Sequence, residues 1–352
     1  MSLLETTCSS VPAPDDAIRA AIQRRLDGKT KPPGSLGRLE ELACAVGAIQ
    51  GTASPSVREK AVVIMAADHG VAEEGVSAYP QAVTAQMVAN FAAGGAAVNV
   101  LARHAGARVV VADLGVKAPL AGLAGVRDLR VGAGTRNLAR GPAMRRDEAV
   151  LALERGIALA GELAGQGVQV LAIGEMGIGN TTAASALAAA YTGSAPAAVT
   201  GRGTGVDDVV HSRKVEVVAR ALAASPPDPA DPLGTLAALG GFEIAGLAGV
   251  VLGAAARRVP VVVDGFIASA AALAAVRLAP RCAGALLAAH RSAERGHGAV
   301  LEALGKRPLL ELDLRLGEGT GAVLALHLLE AAVRVLDEMA TFESAGVSGA
   351  SR

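Results

Sequence analysis

The sequence has no excess of charge of either sign: 33 Lys and Arg residues are matched by 33 Asp and Glu, for a formal net charge of zero. Nucleic acid and anionic membrane both reward a basic surface, so neither is expected as a partner, although a local cationic pocket for one phosphate stays compatible. Cysteine is scarce. Cys8, Cys44 and Cys282 are scattered, odd in number and without CxxC spacing, which reads as three small buried hydrophobes in a reduced cytosol. The longest charge-free apolar run, residues 244–256, is ended by Arg257 and Arg258. It falls short of the roughly 18 to 20 residues of a spanning helix, so no membrane span is expected. The opening MSLLETTCSSVPAPDD has no basic segment followed by an apolar core, so no signal peptide is expected and the location is read as cytoplasmic. No Walker A loop, GxGxxG fingerprint, HExxH pattern or GxSxG elbow occurs, which withdraws support from the enzyme classes built on them. No repeat at a period of 20–50 residues is found.

What is present is a series of short apolar runs that end in polar or glycine-rich turns and lead into helical patterns. Residues 61–67 end at Asp68-His69-Gly70, 109–112 at Asp113-Leu114-Gly115, and 168–173 at Gly174-Glu175-Met176-Gly177. Residues 259–263 end at Asp264-Gly265, and 283–289 at His290. Continuous apolar strands separated by helices predict an α/β fold: a mostly parallel, Rossmann-like sheet buried on both faces by helices. Ligands of such sheets bind beyond the carboxyl ends of the strands, where these polar residues lie. Residues 15–26, 36–49 and 321–339 read as helices. The expected division is a large catalytic unit over 56–320 beside a small helical lobe of 1–55 and 321–352. The Ser/Gly-rich tail after Glu343 is expected to fray.

Four segments carry candidate chemistry. Gly174–Thr182 (GEMGIGNTT) follows a strand and opens a helix, an arrangement that suits an anion at the helix N-terminus; the alternative is an ordinary turn capped by Asn180 or Thr181. Thr200–Gly205 (TGRGTG) leads into a helix with Arg213 and Lys214, which suits a monophosphate, whereas Lys214 alone reads as a solvated basic face. Glu318 stands among three glycines, as a general base or as a carboxylate entering a helix; its sequence context alone favours the latter. Asp68, His69, His290 and His297 invite a metal-dependent hydrolase, and His290, Glu294 and His297 at i, i+4 and i+7 would share a face if helical. Gly296 and Gly298 disfavour that helix, however, and no ligand pattern supports a metal. Residues 31–34 (KPPG) read as a structural corner.

Together these segments resemble the nicotinate-nucleotide–dimethylbenzimidazole phosphoribosyltransferase family of cobalamin lower-ligand synthesis. The resemblance rests on KPPGSLGRLE (31–40), ADHGV (67–71), VTAQMVANFAAGGAAVNVLA (83–102) and GTRNLARGPAM (134–144). It continues through GEMGIGNTTAASAL (174–187), TGRGTGVDD (200–208), GGFEIAGLAG (240–249), VVDGFIASAAAL (262–273) and LRLGEGTGA (314–322), in register along the chain.

The resemblance implies a homodimer, no cofactor, and two substrates: nicotinate mononucleotide and a benzimidazole-type base. It implies that Glu318 is the general base, and that Glu175, Gly177 and Gly179 line the ribose phosphate site. Asn180, Thr181, Gly203 and Lys214 would hold phosphate, Asp264 and Gly265 would lie near the ribose, and Tyr79, Gln81, Gln86 and Met87 would border the aromatic base. With no tryptophan in the chain, aliphatic and Met side chains would form most of the walls. A non-catalytic nucleotide-binding regulator is the rival from another class; an isolated base in a glycine frame argues against it.

Overall fold

The computed structural model describes residues 1–120, 122–203 and 205–348. Thr204, in the second glycine loop, lies outside the described residues. The amino-terminal helices are α1 (Leu3–Ser10), α2 (Asp16–Asp27) and α3 (Arg38–Gln50). Strand β1 (Lys60–Ala67) is followed by α4 (Val83–Ala93), α5 (Ala97–Ala105), β2 (Ala107–Gly115), β3 (Val126–Asp128) and α6 (Arg146–Gly165). Next come β4 (Val170–Met176), α7 (Asn180–Thr192), the single turn α8 (Pro196–Val199), α9 (Asp208–Ala224), α10 (Pro232–Leu239) and α11 (Phe242–Ala256). The chain closes with β5 (Val261–Val263), α12 (Phe266–Leu278), β6 (Leu286–Ala288), α13 (His297–Ala303) and α14 (Thr320–Glu338).

All six strands are parallel, in the order β3-β2-β1-β4-β5-β6. The order reverses between β1 and β4, the switch point at which doubly wound sheets open a crevice. Every residue of β1 is buried, and its side chains alternate between two cores, as the pleat requires. Ala61, Val63, Met65 and Ala67 join a core built with α6, α7, α11 and α12. Val62, Ile64 and Ala66 join another with α3, α4, α5 and α14. Burial on both faces is why these strands read as unbroken apolar runs rather than alternating ones.

Helices α6 and α11 cross with their backbones nearly touching. A Cβ on Gly156 would fall 1.9 Å from the Gly246 carbonyl oxygen, and one on Gly249 would fall 2.0 Å from that of Leu153. The glycines of α11 therefore set the interaxial distance.

The structure departs from expectation in two places. Residues 283–289 are not one strand: a 3₁₀ turn over Pro280–Ala285 precedes β6. Pro280 fixes φ for that turn, and a Cβ on Gly284 would meet Pro14 Cδ at 2.6 Å. Strand β3 has no apolar run to announce it, being Val-Arg-Asp at the sheet edge, and among the described residues no helix separates it from β2. In the tail, Val347 N–H donates to the Phe342 carbonyl at 3.0 Å, and residues 349–352 lie outside the described residues.

The termini meet. Helices α2 and α3 pack on each other and on α14, and Lys29 bridges Thr341. Helix α14 also lies directly on β4 and β5, whereas α1 packs across the sheet on α6 and α11. Residues 31–34 form the expected corner, where buried Lys31 pairs with Glu40 at 2.8 Å. Among the described residues one stretch, Val83–Ala105, has the length and apolar composition of a membrane span. It is broken at Gly94, φ +79°, into α4 and α5.

Candidate active site

The carboxyl ends of β4, β5 and β6 and the turn before α14 enclose a cavity of about 510 Å³. Glu175, Gly177, Asn180, Thr181, Gly203, Gly265, Glu318 and Tyr79 all line it. A wider groove of about 780 Å³ by Arg136, Arg140 and Arg146 contains none of the residues expected to act. Its arginines are paired with Glu148, Glu74 and Asp231.

The first wall is the turn from β4 into α7. Gly179, φ +98°, is the N-cap, and no side chain caps the helix. Asn180 and Thr181 are committed elsewhere. Asn180 Nδ2 donates to Glu175 Oε2, and Thr181 Oγ1 accepts from Lys214 Nζ at 2.7 Å. Two first-turn amides are taken as well, Asn180 N–H by the Gly177 carbonyl at 3.1 Å and Thr182 N–H by that of Gly179 at 3.0 Å. What the start of α7 offers an anion is therefore chiefly the positive end of the helix dipole, with Asn180 and Thr181 on the cavity wall. Ile178 N–H, by contrast, is taken by Thr84 Oγ1 at 3.1 Å, a support from α4 that the sequence did not signal.

Lys214 is 1 % exposed, which overturns the reading of it as a solvated face. It reaches inward from α9, and a Cβ on Gly203 would fall 2.8 Å from its Nζ and 2.8 Å from Thr181 Oγ1. Burial lowers its pKa to about 8, with Glu294 partly opposing.

The opposite wall is the Gly317-Glu318-Gly319 turn, where φ is +81°, +64° and +85°. Glu318 is one of three described non-glycine residues with positive φ, the kind of backbone strain that gathers at functional sites. The turn sits close on the sheet because β4 carries glycine beneath it: a Cβ on Gly174 would fall 2.2 Å from Gly319 N. Asp264, at the end of β5, accepts from Gly319 N–H at 3.2 Å and Ala322 N–H at 2.9 Å. Asp264 therefore caps α14, the task a helix-entry carboxylate would otherwise perform. Glu318 is left to line the cavity, 6 % exposed.

The carboxylates crowd. Burial pushes Glu318 up to about 7, with Asp264 adding to it. Burial, then Glu243, Asp264 and Glu318, push Glu175 up to about 8, against the Asn180 hydrogen bond. A carboxylate poised near neutrality in a cavity is suited to proton transfer.

The remaining expected residues stand apart from the lining. Gly179 is the N-cap of α7, Lys214 donates to Thr181, and both oxygens of Asp264 accept from the start of α14. Gln81 Nε2 donates to the His69 carbonyl at 3.2 Å. Gln86 and Met87 lie on α4, Met87 against the second core.

The metal-hydrolase set is dispersed. Asp68 Oδ2 accepts from Lys117 N–H at 2.7 Å, and His69 bonds Glu243 at 2.6 Å. His290 and His297 do not share a helix, since α13 begins at His297. Ser292 N–H donates to His297 Nδ1 at 2.8 Å, so Nε2 carries the hydrogen toward Ser269 Oγ at 3.0 Å. Burial, then His290 and Arg291, push His297 down to about 3. Among the described residues no group of three or more His, Cys, Asp or Glu side chains is placed to hold a metal ion.

Ser292, Asp313 and Arg315 also line the cavity, and the sequence reading gave them no place in this site; His290, expected at a strand's carboxyl end but with no role in the transfer, lines it too. Their signal was positional: they follow β6 or precede the glutamate turn, on the same sheet edge as the residues that were identified.

A family model described as phosphoribosyltransferase matches residues 11–347. The chain is 57% identical over 348 residues to the nicotinate-nucleotide–dimethylbenzimidazole phosphoribosyltransferase of Chloroflexus aggregans, covering 99% of each. It is 57% identical over 349 residues, again 99% of each, to the protein of that name from Roseiflexus sp.. A crystal structure of the protein of that name from Thermus thermophilus is similar with a TM-score of 0.90 at 49% identity, covering 96% of this chain and 100% of that one.

Proposed function

The chain belongs to the nicotinate-nucleotide–dimethylbenzimidazole phosphoribosyltransferase family, and from that premise we propose how its cleft performs the transfer. The enzyme is a pentosyltransferase that moves the phosphoribosyl group of nicotinate mononucleotide to 5,6-dimethylbenzimidazole. The products are α-ribazole 5′-phosphate, for the nucleotide loop of cobalamin, and nicotinate. The observation that carries the assignment of roles is the convergence of Glu318 and Glu175 with Gly177, Asn180, Thr181 and Gly203 on one cavity.

The donor phosphate sits at the open N-terminus of α7, between Thr181, Gly203 and Lys214. The ribose lies toward Glu175 and Gly265, with Asp264 one layer below. Tyr79 borders the acceptor base at the cavity mouth, with Gln81, Gln86 and Met87 beyond it. A benzimidazole nitrogen attacks the anomeric carbon from the face opposite the pyridinium, so the β donor gives an α product. The glycosidic C–N bond breaks with its electron pair going to the pyridinium nitrogen, and nicotinate leaves with an uncharged ring nitrogen. The proton on the second benzimidazole nitrogen becomes acidic as the new C–N bond forms, and Glu318 takes it. Glu175 stabilises positive charge on the ribose in the transition state. Holding both substrates in line supplies much of the remaining acceleration.

In the same reading the catalytic unit spans 56–320 and the helical lobe 1–55 with 321–352, supported by the packing of α2 and α3 on α14. The enzyme acts as a homodimer in the cytoplasm, in keeping with the family resemblance. Incubation with nicotinate mononucleotide and a panel of bases, followed by chromatography, tests the function. Free nicotinate and a new ribotide are expected; donor bound but never cleaved would refute it.

Two expectations follow from the cations and acids of the cleft. Lys214→Ala raises the apparent donor KM by roughly tenfold or more, the scale of one charge-assisted hydrogen bond, with a smaller change in kcat. An unchanged KM would move the phosphate elsewhere. The pH profile of kcat/KM is a narrow bell. It rises as Glu318 and Glu175 ionise, through about 7 and about 8, and falls as Lys214 loses its proton near 8. Bound donor holds the proton on Lys214 by its phosphate and draws protons off the acids by its pyridinium. The kcat profile is therefore broader on both sides; equal widths at saturating donor would contradict these roles.

A further inference from the structure

Behind Gly177, out of contact with solvent, His69 and Glu243 make a pair to which the steps of transfer described above give no role. His69 follows β1 and Glu243 is the second residue of α11; both are 0 % exposed. They meet at 2.6 Å through Nε2 and Oε1. A carboxylate only accepts, so the imidazole donates through Nε2. The other two polar atoms, His69 Nδ1 and Glu243 Oε2, are buried with no hydrogen-bond partner among the described residues.

Three glycines shape the space around the pair. A Cβ on Gly177 would fall 3.3 Å from Glu243 Oε1 and 3.4 Å from His69 Cδ2; one on Gly241 would fall 2.2 Å from His69 Cε1; one on Gly179 would fall 3.3 Å from His69 Cβ. Two of these, Gly177 and Gly179, belong to the turn that opens α7, so the pair forms the back of the wall whose front is the proposed anion cradle.

Stability alone is a poor reason for such a pair. Taking two ionisable groups out of water costs about what their attraction returns, and apolar residues of equal volume often serve as well or better. The pair's reach is electrostatic instead. Glu243 is the largest of the charges that raise Glu175, ahead of Asp264 from β5 and Glu318 from the turn before α14. His290, beyond β6, and Glu294 face the same cavity.

We infer that His69 and Glu243 are a positioning pair for this reaction: they brace the 177–179 turn from behind and place a fixed negative charge beside Glu175. That charge adds to burial, the larger cause, in keeping the acid protonated until the cationic donor arrives. The inference rests on the proposed place of Glu175 beside the ribose. Since the pair touches neither substrate nor reacting atoms, it acts only through Glu175 and the turn.

The test is the pH dependence of kcat/KM for wild type, Glu243→Gln, His69→Gln and His69→Leu, with melting temperatures alongside. Removing the charge of Glu243 lets Glu175 ionise at lower pH, so Glu243→Gln moves the acid limb down by roughly half a unit or more. The shift vanishes when the same substitution is made on a Glu175→Gln background. His69→Leu leaves Glu243 unpaired and buried, which drives it to its neutral form and shifts the limb the same way. His69→Gln keeps a donor at the corresponding position and restores the wild-type limb. An acid limb that stays in place while activity falls equally at all pH values would reduce the pair to structure and overturn the inference. Normal turnover in Glu175→Gln would instead overturn the role of Glu175 on which it rests. Should the variants fail to fold, histidine ¹⁵N NMR of the wild-type enzyme decides. A bonded Nε2 proton on His69 that persists across the acid limb is expected, and its absence refutes the pair.

Discussion

Glu318→Gln lowers turnover at least about a hundredfold, within the 10²–10⁴ range of a positioned proton acceptor, and leaves the fold intact. That loss corresponds to roughly 3 kcal/mol or more of transition-state stabilisation. The amide keeps the shape of the carboxyl and the left-handed backbone of the turn but cannot accept the benzimidazole proton. Near-normal turnover would remove Glu318 from its role. Stability should move the other way. The folded carboxyl titrates near 7 rather than at its ordinary 4.5, so folding favours its protonated form. Its contribution is full below the unfolded pKa and is lost as pH rises through about 7. The glutamine variant should therefore melt higher than wild type at pH 8, with the gain gone by about pH 4. A variant that melts lower at pH 8 would show that the carboxylate is not held against its inclination to ionise.

The other large effect lies far from the cleft. Gly249→Leu costs about 3 kcal/mol or more, at or beyond the upper end for overpacking. Its Cβ alone would sit 2.0 Å from the Leu153 carbonyl oxygen and 2.8 Å from the carbonyl carbon. Both atoms are helix backbone and cannot turn aside, so α6 and α11 must separate. Gly249→Ala is the sharper diagnostic. On an exposed helix alanine is favoured over glycine by about 1 kcal/mol; at this crossing it should destabilise. Calorimetric or circular-dichroism melting of both variants measures the effect, and an alanine variant at or above the wild-type melting temperature would mean that the helices part easily.

The sequence disclosed the sheet well wherever a strand is buried on both faces. Residues 61–67 form a continuous apolar run because α11 covers one side of β1 and α4 the other. It said little about β3, whose three residues lie at the sheet edge and are not buried. It misjudged 283–289 because a short apolar run fits a buried strand and a buried turn alike, and Pro280 with Gly284 decided for the turn at its start. The two glycine-rich turns and Glu318 were visible as motifs, and their meeting on one cavity follows from the strand order. The burial of Lys214 was missed, although it stands three, four and seven residues before Val217, Val218 and Ala221 on the buried face of α9; a lysine read alone suggests solvent, and the approach of Thr181 and Gly203 is what gives its amine an interior. Nor could the sequence reveal that Asp264 caps α14 from a different strand, since the two are joined only in space.

That cap ties the proposed base to a rod. Helix α14 runs 19 residues, about 28 Å at the usual rise. Its distal end is moored to the start of the chain, by Arg25 to Asp337 at 3.3 Å and by Lys29 Nζ to the Met339 carbonyl at 2.6 Å. Trimming the amino-terminal helices would loosen that mooring and let play travel down the rod to Glu318, so an enzyme shortened at a point remote from its substrates would lose the aim of its acid.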